Sequence, residues 1–315
     1  MRSQETEVRN QKSVRSGDEN MIKRRLFLLV SALLVLFAVG QSINAADRSL
    51  PGDAPSKFAK LDGNRVHYKS YGKGSDALVF VHGWTCDMSF WSDQVPAFVN
   101  RTRVIAIDLP GHGKSDKPEI AYTMDLFARA VDAVLKDAGV ARAVLVGHSM
   151  GTPIIREFYR KYPEKTIGLV IVDGALRPFG DRKMMEQFIA PLRGPNYEQA
   201  ASGFIDGMLG PQVNPALKAR IKSAMLSTPQ KIAVSAMEGM ADESIWKQDK
   251  INVPVLAILA KSPFWPADTE QFYRSIAPKL EFQMWEGVSH FLMMEKPERF
   301  NEAVAKFATS VGLLK

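Results

Sequence analysis

One serine, with a glycine two positions before it and another two positions after it, lies between a predicted strand and a predicted helix. Residues 147–151 read Gly-His-Ser-Met-Gly, with Ser149 at the centre. Residues 143–146 form an uninterrupted apolar run, which is typical of a parallel strand buried on both faces. After Ser149, apolar residues recur at helical spacing. The same five residues also occur by chance in loops rich in glycine and serine, but the flanking strand and helix favour a nucleophile.

The turn between this strand and helix accounts for the two glycines. Gly147 and Gly151 fit it because a Cβ at either position would collide with the neighbouring strand or helix. A helix that begins directly after Ser149 presents free N–H groups and a partial positive charge at its first turn. Such a helix end binds oxyanions. We therefore expect Ser149 to attack a carbonyl group.

Strand and helix patterns alternate on both sides of this motif. A hairpin with the turn Asp62-Gly63-Asn64 opens the series. Further strands are predicted at residues 77–81, 103–108, 143–146, 167–174, 253–259 and 280–285, and helices at 88–99, 123–138, 268–276 and 297–311. This alternation, with apolar strands, predicts an α/β fold built on a doubly wound, mostly parallel sheet.

The alternation stops at residues 176–250. This stretch has helical patterns separated by Gly-Pro and Thr-Pro dipeptides and no convincing strand pattern. We predict that it forms a helical cap inserted into the sheet domain. The α/β core then consists of residues 46–175 and 251–315.

Residues 1–45 have the composition of a leader. An apolar run at residues 26–40 follows Lys23-Arg24-Arg25 and precedes small residues that end in Ala45 and Ala46. These features indicate a secretory signal peptide cleaved after Ala45, and hence a secreted or periplasmic protein. The apolar run is shorter than the roughly 20 residues of a comfortable membrane span. An uncleaved membrane anchor is the alternative interpretation.

The remaining composition excludes several classes of protein. The formal net charge of +7 is not concentrated in a basic stripe with interleaved aromatic residues, so no nucleic-acid partner is indicated. Cys86 is the only cysteine, which excludes an intramolecular disulfide and a cysteine-rich zinc site. No metal or other cofactor is implied.

Four motifs with histidine, aspartate, serine and glycine follow one another along the chain. They are Val-His-Gly-Trp at 81–84, Asp-Leu-Pro-Gly-His-Gly-Lys-Ser-Asp at 108–116, Gly-His-Ser-Met-Gly at 147–151 and Gly-Val-Ser-His-Phe at 287–291. In this order they resemble the α/β-hydrolase superfamily of esterases, lipases and lactonases. The resemblance extends over residues 57–313 and implies the α/β-hydrolase fold. It also implies that His82 and His112 make structural hydrogen bonds around the site.

The resemblance implies a catalytic triad, with His290 in the place of the family's base. In most relatives an aspartate follows the next-to-last strand, but Ser262 stands there in this chain. Serine cannot stabilise an imidazolium by charge, so another carboxylate is needed. Asp173 ends the strand after the Ser149 motif, where one group of haloalkane dehalogenases carries its triad acid. We favour Asp173 over Asp268, the alternative acid, because Asp268 opens a helix and suits an N-cap.

The expected reaction is hydrolysis of carboxylic esters or lactones through an acyl-enzyme. The resemblance assigns the oxyanion hole to the backbone N–H groups of Trp84 and Met150. The expected substrate is a small-molecule ester or lactone, and a membrane contact is expected only through an uncleaved leader.

Two other functions stay open. A proline-iminopeptidase-like aminopeptidase could use the acidic segment at residues 238–243 to receive a substrate amine, although those relatives usually carry tryptophan where this chain has Met150. A non-catalytic ligand-binding protein on the same fold is the other alternative.

Overall fold

The computed structural model describes residues 54–178 and 180–315. Within these ranges, eight strands form one sheet with the order β1-β2-β4-β3-β5-β6-β7-β8. They are β1 Lys57–Leu61, β2 Asn64–Tyr71, β3 Asp76–Val81, β4 Arg103–Ile107, β5 Arg142–His148, β6 Thr166–Val172, β7 Val255–Ala260 and β8 Leu280–Trp285. Strand β2 is antiparallel to both β1 and β4, and the other pairs are parallel. The predicted doubly wound, mostly parallel sheet is confirmed.

Helices connect the parallel strands and fill the long segment between β6 and β7. They are α1 Val95–Phe98, α2 Met124–Ala138, α3 Gly151–Lys161, α4 Arg182–Arg193, α5 Tyr197–Met208, α6 Pro215–Leu226, α7 Gln230–Ala241, α8 Thr269–Ile276, α9 Leu292–Glu295 and α10 Pro297–Ser310. Short 3-10 helices occur at Met88–Trp91, Pro163–Lys165 and Glu243–Trp246. No helix among the described residues has the length and hydropathy of a membrane-spanning helix.

Helix α2 shows how local sequence sets the ends of an element. The hydroxyl of Thr123 accepts a hydrogen bond from the N–H of Leu126, which caps the first turn. Gly139 has a φ of +64° and ends the helix in the left-handed conformation. Both ends agree with the predicted helix at residues 123–138.

One predicted helix is wrong. The sequence pattern indicated a single helix at residues 88–99, but the structure has the 3-10 helix Met88–Trp91 followed by the short helix α1. Pro96 lies in the first turn of α1 and has no N–H to donate to an earlier carbonyl. A continuous helix through this proline would lose a backbone hydrogen bond, so the chain starts a new helix there.

Four helices, α4 to α7, lie between β6 and β7, and we refer to residues 176–250 as the cap segment. Arg156 on α3 is 2% exposed and holds both ends of this segment. It donates to the carbonyl of Leu176 at 2.8 Å and to a carboxylate oxygen of Asp249 at 3.1 Å, and it also contacts the carbonyl of Lys247. The helix that follows Ser149 is therefore hydrogen-bonded to the chain on both sides of the cap segment.

The carboxyl ends of the parallel strands all lie along one side of the sheet, which we call the sheet edge, and ligands of α/β folds bind there. Strand β5 is central and its residues 143–148 are buried, as the apolar run predicted. The residues directly after β5, β6 and β7 therefore lie at the same edge. The predicted leader at residues 1–45 lies outside the described residues.

Candidate active site

Ser149 lies on a tight turn between β5 and α3. Its φ is +52°, a left-handed conformation that costs a non-glycine residue about 1–3 kcal/mol. Its N–H donates to the carbonyl of Val172 on β6 at 2.9 Å. A Cβ at Gly147 would lie 2.4 Å from the carbonyl oxygen of Gly151, and a Cβ at Gly151 would lie 2.6 Å from that of Val81. The turn therefore requires both glycines, as the motif predicted.

Asp173 and His290 are brought together at the same sheet edge. The Nδ1–H of His290 donates to Oδ2 of Asp173 at 2.6 Å, and the N–H of Ala260 donates to Oδ1 at 2.7 Å. Asp173 is 5% exposed and follows β6 with a φ of +43°. Because a carboxylate oxygen can only accept a hydrogen bond, the Nδ1 that faces Asp173 carries a hydrogen. In the neutral ring, the lone pair is then left on Nε2. This is the tautomer that a general base needs.

The structure does not bring Asp268 to His290. The carboxylate of Asp268 forms a two-point ion pair with Arg177, with one contact at 3.0 Å, and its side chain is 56% exposed. The hydrogen bond from Arg177 holds the pKa of Asp268 below its usual range. Asp268 occupies the N-cap position of α8, yet its side chain makes no capping hydrogen bond. The expected N-cap role is therefore not seen, because the carboxylate pairs with Arg177 instead.

His148 connects the loop that carries His290 to the turn that carries Ser149. Its Nε2–H donates to the carbonyl of His290 at 2.9 Å, and the centroids of the two rings are 4.7 Å apart. Burial, together with the nearby His290, lowers the pKa of His148 well below its usual value, so the ring is neutral. Ser149 directly follows His148, so this contact places the loop of His290 beside the turn of Ser149.

Two contacts hold the loop that carries His290, and neither was predicted from the sequence. The carboxylate of Glu295 accepts from the N–H and the hydroxyl of Ser289, at 2.7 and 2.5 Å. The N–H of His290 donates to the carbonyl of Met208 at the end of α5, at 3.3 Å. A backbone carbonyl carries no sequence signal, and the separation of six positions between Ser289 and Glu295 matches no helical or strand period.

The segment after β3 packs directly against Ser149. A Cβ at Gly83 would lie 3.1 Å from the Cβ of Ser149. The N–H of Cys86 donates to the carbonyl of Gly83 at 3.2 Å and closes a turn, in which Thr85 has a φ of +55°. This turn does not use the N–H of Trp84, its first central residue. The N–H of Trp84 is therefore left free by this turn, one residue after the Gly83 contact with Ser149.

The second expected oxyanion donor lies on the other side of Ser149. Met150 follows it directly and stands at the N-cap of α3, where N–H groups have no partner within the helix. The indole N–H of Trp84 donates to the carbonyl of Ala233 on α7 at 2.7 Å, and the Trp84 ring packs edge-on against Phe204 on α5. The cap segment thus fixes the Trp84 side chain.

His82 and His112 make structural hydrogen bonds, as the resemblance implied. The Nδ1–H of His82 donates to the carbonyl of Gly83 at 2.9 Å, and its Nε2 accepts from the N–H of Leu109 at 3.0 Å. The Nδ1–H of His112 donates to the carbonyl of Pro110 at 2.9 Å. Burial lowers the pKa of His82 and lowers that of His112 to about 3. Both rings are neutral parts of the fold.

Metal-binding and thiol chemistry find little support in the part of the chain that the structure describes. No group of three or more His, Cys, Asp or Glu side chains is arranged there to hold a metal ion. Cys86 is a free, buried thiol, and burial raises its pKa well above the usual value.

The fold agrees with comparisons to known proteins. Residues 78–303, more than half of the chain, match the model of the alpha/beta hydrolase family. The chain belongs to this family.

Three relatives illustrate the range of the family. The chain is 30% identical over 277 residues to a 2-hydroxy-6-oxononadienedioate/2-hydroxy-6-oxononatrienedioate hydrolase of Paraburkholderia phymatum, over 81% of this chain and 96% of that one. It is 29% identical over 176 residues, 54% of this chain, to the dihydrolipoyllysine-residue acetyltransferase component of the acetoin cleaving system of Cupriavidus necator, and spans only 46% of that protein. The solved structure of an N-acyl homoserine lactone degrading enzyme matches with a TM-score of 0.69 and 27% identity, over 80% of this chain and 100% of that one.

Proposed function

We propose that the protein is a serine hydrolase that cleaves carboxylic esters or lactones through an acyl-enzyme intermediate. The observation that carries this proposal is the hydrogen bond from His290 to Asp173 beside the strained turn of Ser149. Ser149 is the nucleophile, His290 the general base and Asp173 the acid that orients the imidazole. The backbone N–H groups of Trp84 and Met150 form the oxyanion hole.

The proposed reaction proceeds in two steps. Nε2 of His290 takes the proton of the Ser149 hydroxyl while its oxygen attacks the substrate carbonyl. The carbonyl oxygen becomes an oxyanion, and loss of one oxyanion-hole donor typically costs about 3 kcal/mol. The protonated His290 then gives its proton to the leaving alcohol oxygen. Water, activated by the same ring, cleaves the acyl-enzyme.

The choice of esters and lactones has independent support. The lactone degrading relative is similar along its whole length, and its name says that it degrades an N-acyl homoserine lactone, which is a cyclic ester. Small-molecule esters and lactones are therefore the proposed partners of this chain.

A further observation argues against the aminopeptidase alternative. Glu238, in the acidic segment that was to receive a substrate amine, pairs with Arg193 at 2.8 Å, and both side chains are more than a third exposed. A carboxylate already neutralised by an arginine gives little attraction for a substrate amine.

Turnover of a panel of esters, lactones and aminoacyl amides tests the proposal. We expect steady-state hydrolysis of short p-nitrophenyl esters and of lactones, and its loss in Ser149→Ala. Cleavage of aminoacyl amides alone would favour the aminopeptidase. Ligand binding with no Ser149-dependent turnover would favour the non-catalytic alternative.

We also propose that residues 1–45 form a secretory signal and that the protein is secreted or periplasmic. Expression of the full chain in a bacterial host, followed by fractionation and N-terminal sequencing, tests this. The expected product begins at Ala46 and is released with the periplasmic or culture fraction. A product that keeps the leader and sediments with membranes would instead show an anchor.

A further inference from the structure

A serine, a histidine and an aspartate outside the site proposed above are linked by hydrogen bonds between the N-terminal hairpin and the end of β4. Ser56 precedes β1, His67 lies on β2 and Asp108 follows β4. The Ser56 hydroxyl oxygen lies 2.9 Å from Nε2 of His67, and Nδ1 of His67 lies 2.7 Å from Oδ2 of Asp108. None of these residues belongs to the site proposed above, and the sequence analysis did not connect them.

The hydrogen bonds define the protonation of this group. Although burial disfavours its charge, the hydrogen bond from His67 and backbone N–H groups hold the pKa of Asp108 below the usual value. Those N–H groups belong to Met88, which donates to Oδ1 at 2.9 Å, and to Lys114, which donates to Oδ2 at 2.9 Å. Asp108 is thus a carboxylate, and His67 donates to it through Nδ1. Nε2 of His67 faces the Ser56 hydroxyl, and in the tautomer with the hydrogen on Nδ1 it carries the ring's lone pair.

The three residues differ in exposure to solvent in a way that suits an activated hydroxyl. His67 is 2% and Asp108 3% exposed, whereas Ser56 is exposed. The base is therefore held rigidly and away from water, while the hydroxyl is open to reagents. A hydroxyl with a histidine in hydrogen-bond reach, itself oriented by a third group, is the arrangement that activates serine nucleophiles.

Ser56 lies at the start of an edge strand, and the outward N–H groups of such a strand are candidate donors for a developing oxyanion. Strand β1 begins at the residue after Ser56 and lies at the edge of the sheet, paired only with β2. An edge strand presents the N–H groups of alternate residues to solvent without partners. Such free N–H groups can donate to a carbonyl oxygen that acquires negative charge beside Ser56.

We propose that Ser56 is an activated serine that accepts acyl groups from small activated esters, independently of Ser149. In this step a bond forms between the Ser56 oxygen and the acyl carbon, and the bond from that carbon to the leaving oxygen breaks. The Ser56 proton moves to Nε2 of His67 and then to solvent, and the leaving group departs as an anion. The proposal does not rest on the function proposed for Ser149.

Acetylation by p-nitrophenyl acetate in the Ser149→Ala variant tests the proposal. We expect release of p-nitrophenolate together with an acetyl group that peptide mass spectrometry locates on Ser56. The exposed Ser75 is the internal control, because within residues 54–178 and 180–315 no histidine forms a hydrogen bond with it. Acetylation of Ser56 should be at least tenfold faster than that of Ser75.

Two further variants separate activation from simple exposure. Adding Ser56→Ala to Ser149→Ala should remove the p-nitrophenolate release. Adding His67→Gln instead, in protein whose circular dichroism is unchanged, should slow acetylation of Ser56 at least tenfold. Equal labelling of Ser56 and Ser75 in Ser149→Ala would overturn the proposal even if His67→Gln fails to fold, and so would labelling that is indifferent to His67→Gln in folded protein.

Discussion

Replacement of Asp173 by asparagine is predicted to disable the base without removing it. The N–H of Ala260 donates to Oδ1 of Asp173. The atom at this position must therefore be a hydrogen-bond acceptor, which favours an oxygen over an NH2 group there. In Asp173→Asn the amide oxygen takes that position, and the amide NH2 faces Nδ1 of His290. Two donors cannot share one hydrogen bond, so His290 must move its proton to Nε2. That nitrogen then no longer accepts the proton of Ser149.

The size of the loss follows from the two ways in which the amide can lie. The orientation with the wrong histidine tautomer costs about 10⁴-fold in kcat in a comparable triad. The flipped orientation keeps the tautomer but buries an NH2 against the Ala260 N–H, at about 1–3 kcal/mol for each unpaired donor. Each 1.36 kcal/mol is tenfold in rate. We therefore expect kcat for Asp173→Asn to fall by about 10²- to 10⁴-fold.

Steady-state hydrolysis of p-nitrophenyl butyrate measures this loss. Asp268→Asn is the matched control, because Asp268 pairs with Arg177 and is 56% exposed, and it should keep kcat within about twofold. Circular dichroism and thermal unfolding establish that both variants fold. Retention of more than a tenth of the activity in Asp173→Asn would refute the reasoning. A larger loss in Asp268→Asn would move the acid to the later loop.

The remaining predictions concern packing and acid stability. Gly83→Ala places a Cβ 3.1 Å from the Cβ of Ser149, so it should shift the oxyanion segment and lower kcat at least tenfold in folded protein; unchanged kcat would argue against that segment's role. Burial lowers the pKa of His112 from 6.5 to about 3, so the unfolded chain binds the extra proton as pH falls. The contribution of neutral His112 to the free energy of unfolding is full above pH 6.5 and is about 2 kcal/mol smaller at pH 5. In urea titrations, the free energy of unfolding of His112→Gln should therefore depend less on pH than that of the wild type, and an equal pH dependence would contradict this. Gly113→Ala places a Cβ 2.2 Å from the carboxyl carbon of Asp108 at a φ of +49°, so it should lower the free energy of unfolding by about 3 kcal/mol in urea titrations, and a loss below 1 kcal/mol would count against the packing seen here.

The parts of the site that depend on local sequence were predictable. The Ser149 turn needs a buried strand, two glycines and a helix within a few residues, and each of these leaves a pattern in the chain. The position of His290 after the last strand was implied by the family resemblance. Asp173 was favoured because it ends the strand next to β5, and the structure places its carboxylate against His290.

The parts that depend on contacts between distant residues were not predictable. Asp268 resembled an N-cap because it precedes a helix, but its partner Arg177 lies 91 positions away in sequence. His67 and Asp108 are 41 positions apart and meet only because β2 pairs with β4. Contacts made by backbone groups, such as the carbonyl of Met208 with His290, depend on how the cap segment packs and not on residue type.

Covalent labelling tests the central claim most directly. A fluorophosphonate reacts with an activated serine, and mass spectrometry of peptides identifies the modified residue. We predict loss of ester hydrolysis in parallel with modification of Ser149, and slow labelling of Ser149 in His290→Ala. Complete inactivation with Ser149 unmodified, or wild-type turnover by the double variant Ser149→Ala and Ser56→Ala, would contradict the account.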